Sequence, residues 1–189
     1  YAPSKLVKSG YVEFYSDLMK DKGLPAFPTY TPIPEHEKKA PDELILTTYK
    51  IAVHTHSRTA HLKWLAELKH DNPAWINTKT AAERGIANGD RIKVKGKIGE
   101  LTTTARVTEG IIPGIIAISN SLGRKYSGIY GSGKSDPIDG GAPSDPDVKN
   151  IWWKTHGVHP NTVIPNWSDR ISGAQRWFEI GRASCRERV

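Results

Sequence analysis

Two polar segments of this sequence contain most of the side chains that could do chemistry, the loop 54–59 (HTHSRT) and the tail 156–177. Both offer hydrogen-bond donors with few carboxylates to compensate them. An Arg guanidinium can bind phosphate through two hydrogen bonds, and Asn and Gln amides can pair with purine or pterin edges. The donors therefore predict a site for an anionic, ring-containing ligand, with a merely solvated loop as the alternative. They are His54, His56, Ser57, Arg58, Thr59, His156, His159, Asn161, Gln175 and Arg176.

A third segment, 128–135 (GIYGSGKS), matches the phosphate-binding loop G-x-x-x-x-G-K-[ST] at every fixed position. That motif needs a buried strand before it and a helix N-terminus after it. The preceding residues, SNSLGRKYS, are not an apolar strand, and the following ones, DPIDGGAPSDPD, contain too many prolines and glycines to begin a helix. The context argues against a nucleoside triphosphatase and predicts a Gly/Ser loop.

Metal and nucleophile chemistry find weaker support. His54 and His56 could bind zinc, but no acidic or His partner lies at a familiar helical spacing from them. Ser57, His54 and Asp71 could supply a triad, yet no G-x-S-x-G elbow orders them. We therefore assign no metal ligand and no catalytic residue.

The composition is ordinary for a soluble globular chain, and the length suits one sizeable domain or one and a half small ones. The chain has 189 residues and a net charge of +7, with lysines scattered along its length. That pattern favours a solvated surface over a nucleic-acid-binding face. No apolar run is long enough to span a membrane. Because the sequence begins YAPSKL and its only Met is Met19, we expect a piece of a longer protein.

The last residues, 179–189 (EIGRASCRERV), have no apolar period. Their back-translation resembles a short-read sequencing adapter, so we predict that they are an artefact and exclude them from fold reasoning. They contain the only cysteine, Cys185. Without them, the chain has no disulfide and no thiolate site.

Local patterns predict many short strands and little helix. Residues 1–43 should form a hairpin, a short helix between Ser16 and Gly23, and an extended proline-rich connector. A helix starting at Asn77 or Thr78 should end at Gly85. The pattern favours a mainly β chain with short helices that closes into a small barrel. Strands are expected at 44–49, 74–76, 91–95, 101–107 and 115–118, and a further helix around 62–68.

Seven motifs follow one another along the chain: SGYVEFYS (9–16), TTYK (47–50), HTHSRT (54–59), NPAWIN (72–77), GD (89–90), HGVHPN (156–161) and SGAQ (172–175). Taken in this order, they resemble one known family, over nearly the whole chain to residue 178. It is the C-terminal cofactor-binding domain of the molybdopterin oxidoreductases, the dimethyl sulfoxide reductase family, and the likeness is greatest to thiosulfate/polysulfide/tetrathionate reductase-like catalytic subunits. The resemblance implies a double-psi β-barrel, of the aspartate decarboxylase-like kind, over residues 44–178.

By position, the resemblance implies that the barrel clamps a molybdopterin guanine dinucleotide. Molybdenum and a 4Fe–4S cluster would be bound by domains absent here, so this piece alone should be inactive. The usual final strand would also be missing, which should leave an unpaired barrel edge. The implied cofactor-binding residues are Thr48, Lys50, His54, Thr55, His56, Ser57, Arg58, Thr59, His159, Asn161 and Gln175.

The implied function is two-electron redox chemistry on a small, sulfur-oxyanion-like substrate in anaerobic respiration. Implied partners are the rest of the catalytic subunit, an iron–sulfur electron-transfer subunit and a membrane anchor, with no nucleic acid. A periplasmic, membrane-associated complex is expected, and a cytoplasmic one is the alternative. The other function left open is a non-enzymatic double-psi barrel that binds a protein partner and does not need the tail 156–177.

Overall fold

The computed structural model describes residues 10–30, 32–124, 157–169, 173–175 and 182–188. The phosphate-loop-like segment 128–135 lies outside these ranges, as do His156 and Arg176. Within them, no helix has the length and apolarity needed to cross a bilayer. The helices are α1 (Asp17–Asp21), α2 (Pro34–Glu37), α3 (Lys63–Leu68) and α4 (Thr78–Glu83); the strands are β1 (Glu43–Tyr49), β2 (Ala74–Ile76), β3 (Arg91–Lys95), β4 (Glu100–Val107), β5 (Ile115–Ser119) and β6 (Arg182–Arg188).

The six strands close into a barrel in the order β1-β5-β2-β4-β3-β6. The pairs β1–β5 and β2–β4 are parallel, and the other neighbours are antiparallel. Alternate residues face inward because side chains of a strand point to opposite faces. The fully buried Leu46, Ile76, Ile92, Ile116 and Ile118 form the centre of the core. The mainly β prediction is confirmed, and the strand order is compatible with the double-psi connectivity, which stays a prediction.

The expectation of an unpaired barrel edge is wrong in this structure. β6 pairs antiparallel with both β1 and β3 and closes the barrel. Ala183 and Cys185, two residues apart, are both buried against the core. The physical reason is that unpaired N–H and C=O groups on two strands accept any extended segment whose inward side chains fit, and small side chains suffice. The adapter origin of residues 179–189 stays a prediction.

Two helices begin and end where the local sequence predicts. The Ser16 hydroxyl accepts a backbone N–H at the start of α1, and the Asn77 side chain does so at the start of α4. Gly23 and Gly85 follow these helices with φ of 69° and 63°, a left-handed backbone that glycine adopts without a Cβ clash. The capping predictions are therefore confirmed.

The segment before the barrel differs from its prediction in two places. Residues 11–15 form no strand among the described residues; Tyr15 instead packs edge-on against Phe27, with ring centroids 5.0 Å apart. The connector was expected to be extended throughout, but α2 forms within it. Pro34 is the first residue of α2, a position where its fixed φ suits a helix and its missing N–H is not needed.

Candidate functional site

The parallel pairing of β1 and β5 brings two loops to the same end of the barrel. Tyr49 and Ser119, at the ends of these strands, are register partners. The loop after β1 and residues 120–124 after β5 therefore emerge side by side, and residues 157–161 cross beside them. Between them lies a cleft of about 290 Å³. It is lined by His56, Ser57, Asn120, Gly123, Arg124, His159, Pro160 and Asn161.

The loop after β1 is held in shape by His54 and Thr59. The His54 ring is buried, and its Nε2 lies 2.6 Å from the Lys69 carbonyl oxygen. Because a carbonyl only accepts, Nε2 carries the proton and donates. The other nitrogen, Nδ1, lies 3.1 Å from the Thr59 hydroxyl, whose oxygen also accepts the Thr55 N–H at 3.0 Å. Both side chains therefore bond within the protein and stabilise the loop.

His56 adopts a left-handed backbone conformation with φ of 50°, which is uncommon for a residue with a Cβ. Such a conformation costs roughly 1–2 kcal/mol and persists only where the surroundings impose it. Here the bonds among His54, Thr55 and Thr59 constrain the loop on both sides of His56. The result is that His56 and Ser57 line the cleft.

The opposite wall is formed by residues 157–161. His159 Nδ1 accepts the Asn161 N–H at 3.2 Å and so caps the 3₁₀ turn Pro160–Thr162. The hydroxyl of Thr162 donates to the His159 carbonyl at 2.8 Å. With Nδ1 occupied as an acceptor, Nε2–H is the donor that His159 has left for a ligand.

Glycines allow this wall to lie directly on the barrel end. The Gly157 N–H donates to the Arg124 carbonyl at 2.8 Å, and the Val158 N–H donates to the Leu122 carbonyl at 2.9 Å. A Cβ on Gly157 would lie 2.1 Å from the Arg124 oxygen, closer than any side chain permits. The residue type at 157 therefore determines how close the two walls approach.

The remaining predicted site residues lie elsewhere. Thr48 is half-buried in β1, and Lys50 is exposed just after it. Thr55 and Arg58 are exposed residues of the loop that do not line the cleft. Gln175 forms an isolated β-bridge with Ser168. Of the predicted set, the structure thus brings His56, Ser57, His159 and Asn161 together, and no contact tests the roles of the others.

Sequence reasoning missed Asn120, Gly123 and Arg124. Their signal was their position just after a predicted strand, but only the pairing of β5 beside β1 places them in the cleft. Arg124 is exposed, and among the described residues that line the cleft it is the one cation and there is no carboxylate. A Cβ on Gly123 would lie 3.2 Å from the His159 ring, so the glycine lets this ring pack closely against residue 123. The donor set fits an anionic group such as a pyrophosphate.

Residues 44–177 match the family model for the Molydopterin dinucleotide binding domain. The chain belongs to this family. The predicted cofactor, a molybdopterin guanine dinucleotide, is thereby confirmed. Across the described part of the chain, no group of three or more His, Cys, Asp or Glu could hold a metal ion.

The relatives of this molybdopterin-binding domain are much longer proteins. The chain is 29% identical over 169 residues to the thiosulfate reductase molybdopterin-containing subunit PhsA of Salmonella typhimurium, covering 87% of the chain and 19% of that protein. It is 30% identical over 138 residues to the dimethyl sulfoxide/trimethylamine N-oxide reductase of Cereibacter sphaeroides, covering 69% and 16%. The chain therefore spans less than a fifth of the length of these relatives.

The fold also has a solved counterpart. Acetylene hydratase from Pelobacter acetylenicus superposes with a TM-score of 0.64 at 22% identity, covering 95% of this chain and 24% of that one. At this identity the likeness shows the fold alone.

Proposed function

We propose that this domain is the cofactor-clamping part of a molybdenum oxidoreductase catalytic subunit that acts on a small, sulfur-oxyanion-like substrate. The observation that carries the proposal is the cleft at the barrel end, where donors from three separate segments converge and the lining residues that the structure describes include no carboxylate. Membership of the molybdopterin-binding family supports the ligand class. The similarity to a thiosulfate reductase subunit supports the substrate class.

Different residues of the cleft bind different parts of a dinucleotide. Arg124 supplies charge-assisted hydrogen bonds to phosphate, and the amides of Asn120 and Asn161 supply neutral donors and acceptors. His56 and His159 flank the opening and add ring donors. When bound, the cofactor's metal supplies two-electron redox chemistry, while the protein binds and orients the cofactor.

The partners and compartment belong to the same proposal. The relatives are several times longer than this chain, which leaves room elsewhere for a metal ligand and a 4Fe–4S cluster. We place the subunit with an iron–sulfur electron-transfer subunit and a membrane anchor, in a periplasmic complex of anaerobic respiration. The alternative function, a protein-interaction module, does not need the tail 156–177. Because residues 157–161 of this tail form one wall of the cleft, the structure favours the cofactor-binding proposal.

The test uses the 189-residue chain with guanosine diphosphate as the probe, measured by isothermal titration calorimetry. Arg124→Ala should weaken binding about tenfold, because a hydrogen bond to a charged group contributes about 1.5–3 kcal/mol. The matched control is Arg91→Ala, which removes the same charge at the start of β3. Absence of saturable binding at millimolar probe, or equal losses in both variants, would reject the cleft as the cofactor site.

A parallel variant, Arg58→Ala, tests the loop residue predicted from sequence. Because Arg58 is exposed and lies outside the cleft lining, its loss should matter less than that of Arg124. A larger loss at Arg58 would move the phosphate contact from the cleft to the outer side of the loop.

A further inference from the structure

A buried amide lies beneath both walls of the cleft. Asn72, between α3 and β2, is 3% exposed. Its Nδ2 donates to the carbonyl oxygens of Ser119 and Val158, both at 2.9 Å, with the Leu122 carbonyl at 3.4 Å. Its Oδ1 accepts the Ser119 N–H at 3.2 Å. One side chain thus bonds to the last residue of β5, to the segment after it and to the segment that forms the opposite wall.

The position of this amide is itself fixed by the barrel. The hydroxyl of Thr103, an inward-facing residue of β4, donates to the Asn72 backbone carbonyl at 2.8 Å. Both side chains are buried, so water cannot replace these bonds without opening the structure. Thr103 in the barrel wall therefore fixes the position of the Asn72 backbone, and the Asn72 side chain fixes the positions of the two cleft walls.

We propose that Asn72 is a positioning residue for the cofactor cleft, holding residues 119–122 and 157–158 at the spacing that a bound dinucleotide needs. The proposal rests on the proposed function for its consequence in binding, but its structural part stands on the hydrogen bonds alone. The Val158 carbonyl bonded to Asn72 lies next to His159, so a loss of the amide moves a wall that carries ligand donors.

The experiment compares Asn72→Asp with Asn77→Asp. Aspartate keeps the shape of the side chain and removes both N–H donors. Asn77 is a matched control because it is 4% exposed and its Nδ2 donates to the Ile111 carbonyl at 2.7 Å, at the start of α4 and away from the cleft lining. Both variants lose a buried donor, but only the first should move the walls.

The first readout is native-state amide hydrogen exchange at Gly157 and Val158, whose N–H groups bond to the opposite wall. In Asn72→Asp their protection should fall about tenfold or more relative to the strands, as expected for losing about two net hydrogen bonds. In Asn77→Asp it should fall no more than that of the strands. Unchanged relative protection in Asn72→Asp overturns the proposal. If Asn72→Asp does not fold, Thr103→Val takes its place as the test. This variant should lower the protection of the Gly157 and Val158 amides by a smaller factor. Protection that falls no more at these two amides than in the strands would overturn the proposal.

The second readout is affinity for guanosine diphosphate at a temperature where all variants are folded. Asn72→Asp should bind about tenfold more weakly, and Asn77→Asp should bind like the parent chain. If the parent chain does not bind the probe, the proposed function fails, while the exchange result still decides whether Asn72 positions the walls. The parent chain and both variants could bind guanosine diphosphate equally while Asn72→Asp alone loses protection at Gly157 and Val158. That outcome would overturn the role of Asn72 in binding.

Discussion

Replacing Gly157 with Ala should open the cleft with little other damage. The new Cβ would lie 2.1 Å from the Arg124 carbonyl oxygen and 2.5 Å from that of Leu122, both backbone atoms that cannot rotate away. Real Cβ atoms do not approach closer than 3.0 Å, so the two segments must separate by roughly 1 Å. The hydrogen bonds from Gly157 and Val158, now 2.8 and 2.9 Å long, would stretch past the limit of useful geometry.

The expected loss of stability follows from weakening those two hydrogen bonds. Each contributes about 1 kcal/mol net, so Gly157→Ala should lower the free energy of unfolding by about 2 kcal/mol. Urea denaturation followed by tryptophan fluorescence measures this change, and titration with guanosine diphosphate measures the loss of the closed cleft. The control is Gly110→Ala, where the nearest atom to a new Cβ is the Thr108 hydroxyl at 3.4 Å, and less than about 0.5 kcal/mol is expected. Equal stability and affinity in both variants would refute the close-approach reasoning.

Three further outcomes are expected. Gly96→Ala should lower the thermal midpoint by roughly 5 °C, because its Cβ would lie 2.2 Å from the Val163 carbonyl oxygen; an unchanged midpoint would mean that this contact is not close in solution. Burial raises the pKa of Tyr49 to about 12, so the folded chain keeps a proton that the unfolded chain loses near pH 10. The free energy of unfolding measured by urea titration should therefore fall between pH 10 and 12, and it should fall less in Tyr49→Phe. Burial also raises the pKa of the Cys185 thiol to about 11, so dithiobis-nitrobenzoate should label it slowly until denaturant is added. Rapid labelling of the folded chain would contradict the burial of Cys185 in β6.

Local features of the fold could be predicted from the sequence because their causes are local. Ser16 and Asn77 precede helices that need an oxygen acceptor at their first turn, and both side chains provide it. Strict alternation in β3 placed Ile92 and Val94 in the core. These patterns depend on residues a few positions apart, so no knowledge of the rest of the fold is required.

The cleft was harder to predict because its walls come from distant parts of the chain. Arg124 enters it only because β5 pairs beside β1, and a parallel pairing leaves no local signature in the sequence. His54 shows a second difficulty, and its predicted contact with the cofactor stays a prediction. Its position in a polar loop resembles that of a ligand donor, but burial gives both ring nitrogens partners inside the protein. A sequence does not distinguish a histidine that faces a ligand from one that supports its loop.

Asn72 finds its partners 47 and 86 residues further along the chain. Closing such long loops costs chain entropy that a hairpin such as β3–β4 does not incur. The hairpin and the capped helices can therefore form first, whereas the cleft can form only after β5 has reached β1 and the segment at 157–158 has returned to the barrel. We therefore expect this domain to bind its cofactor after it has folded, so that the bound cofactor stabilises a barrel that has already formed and does not direct its folding.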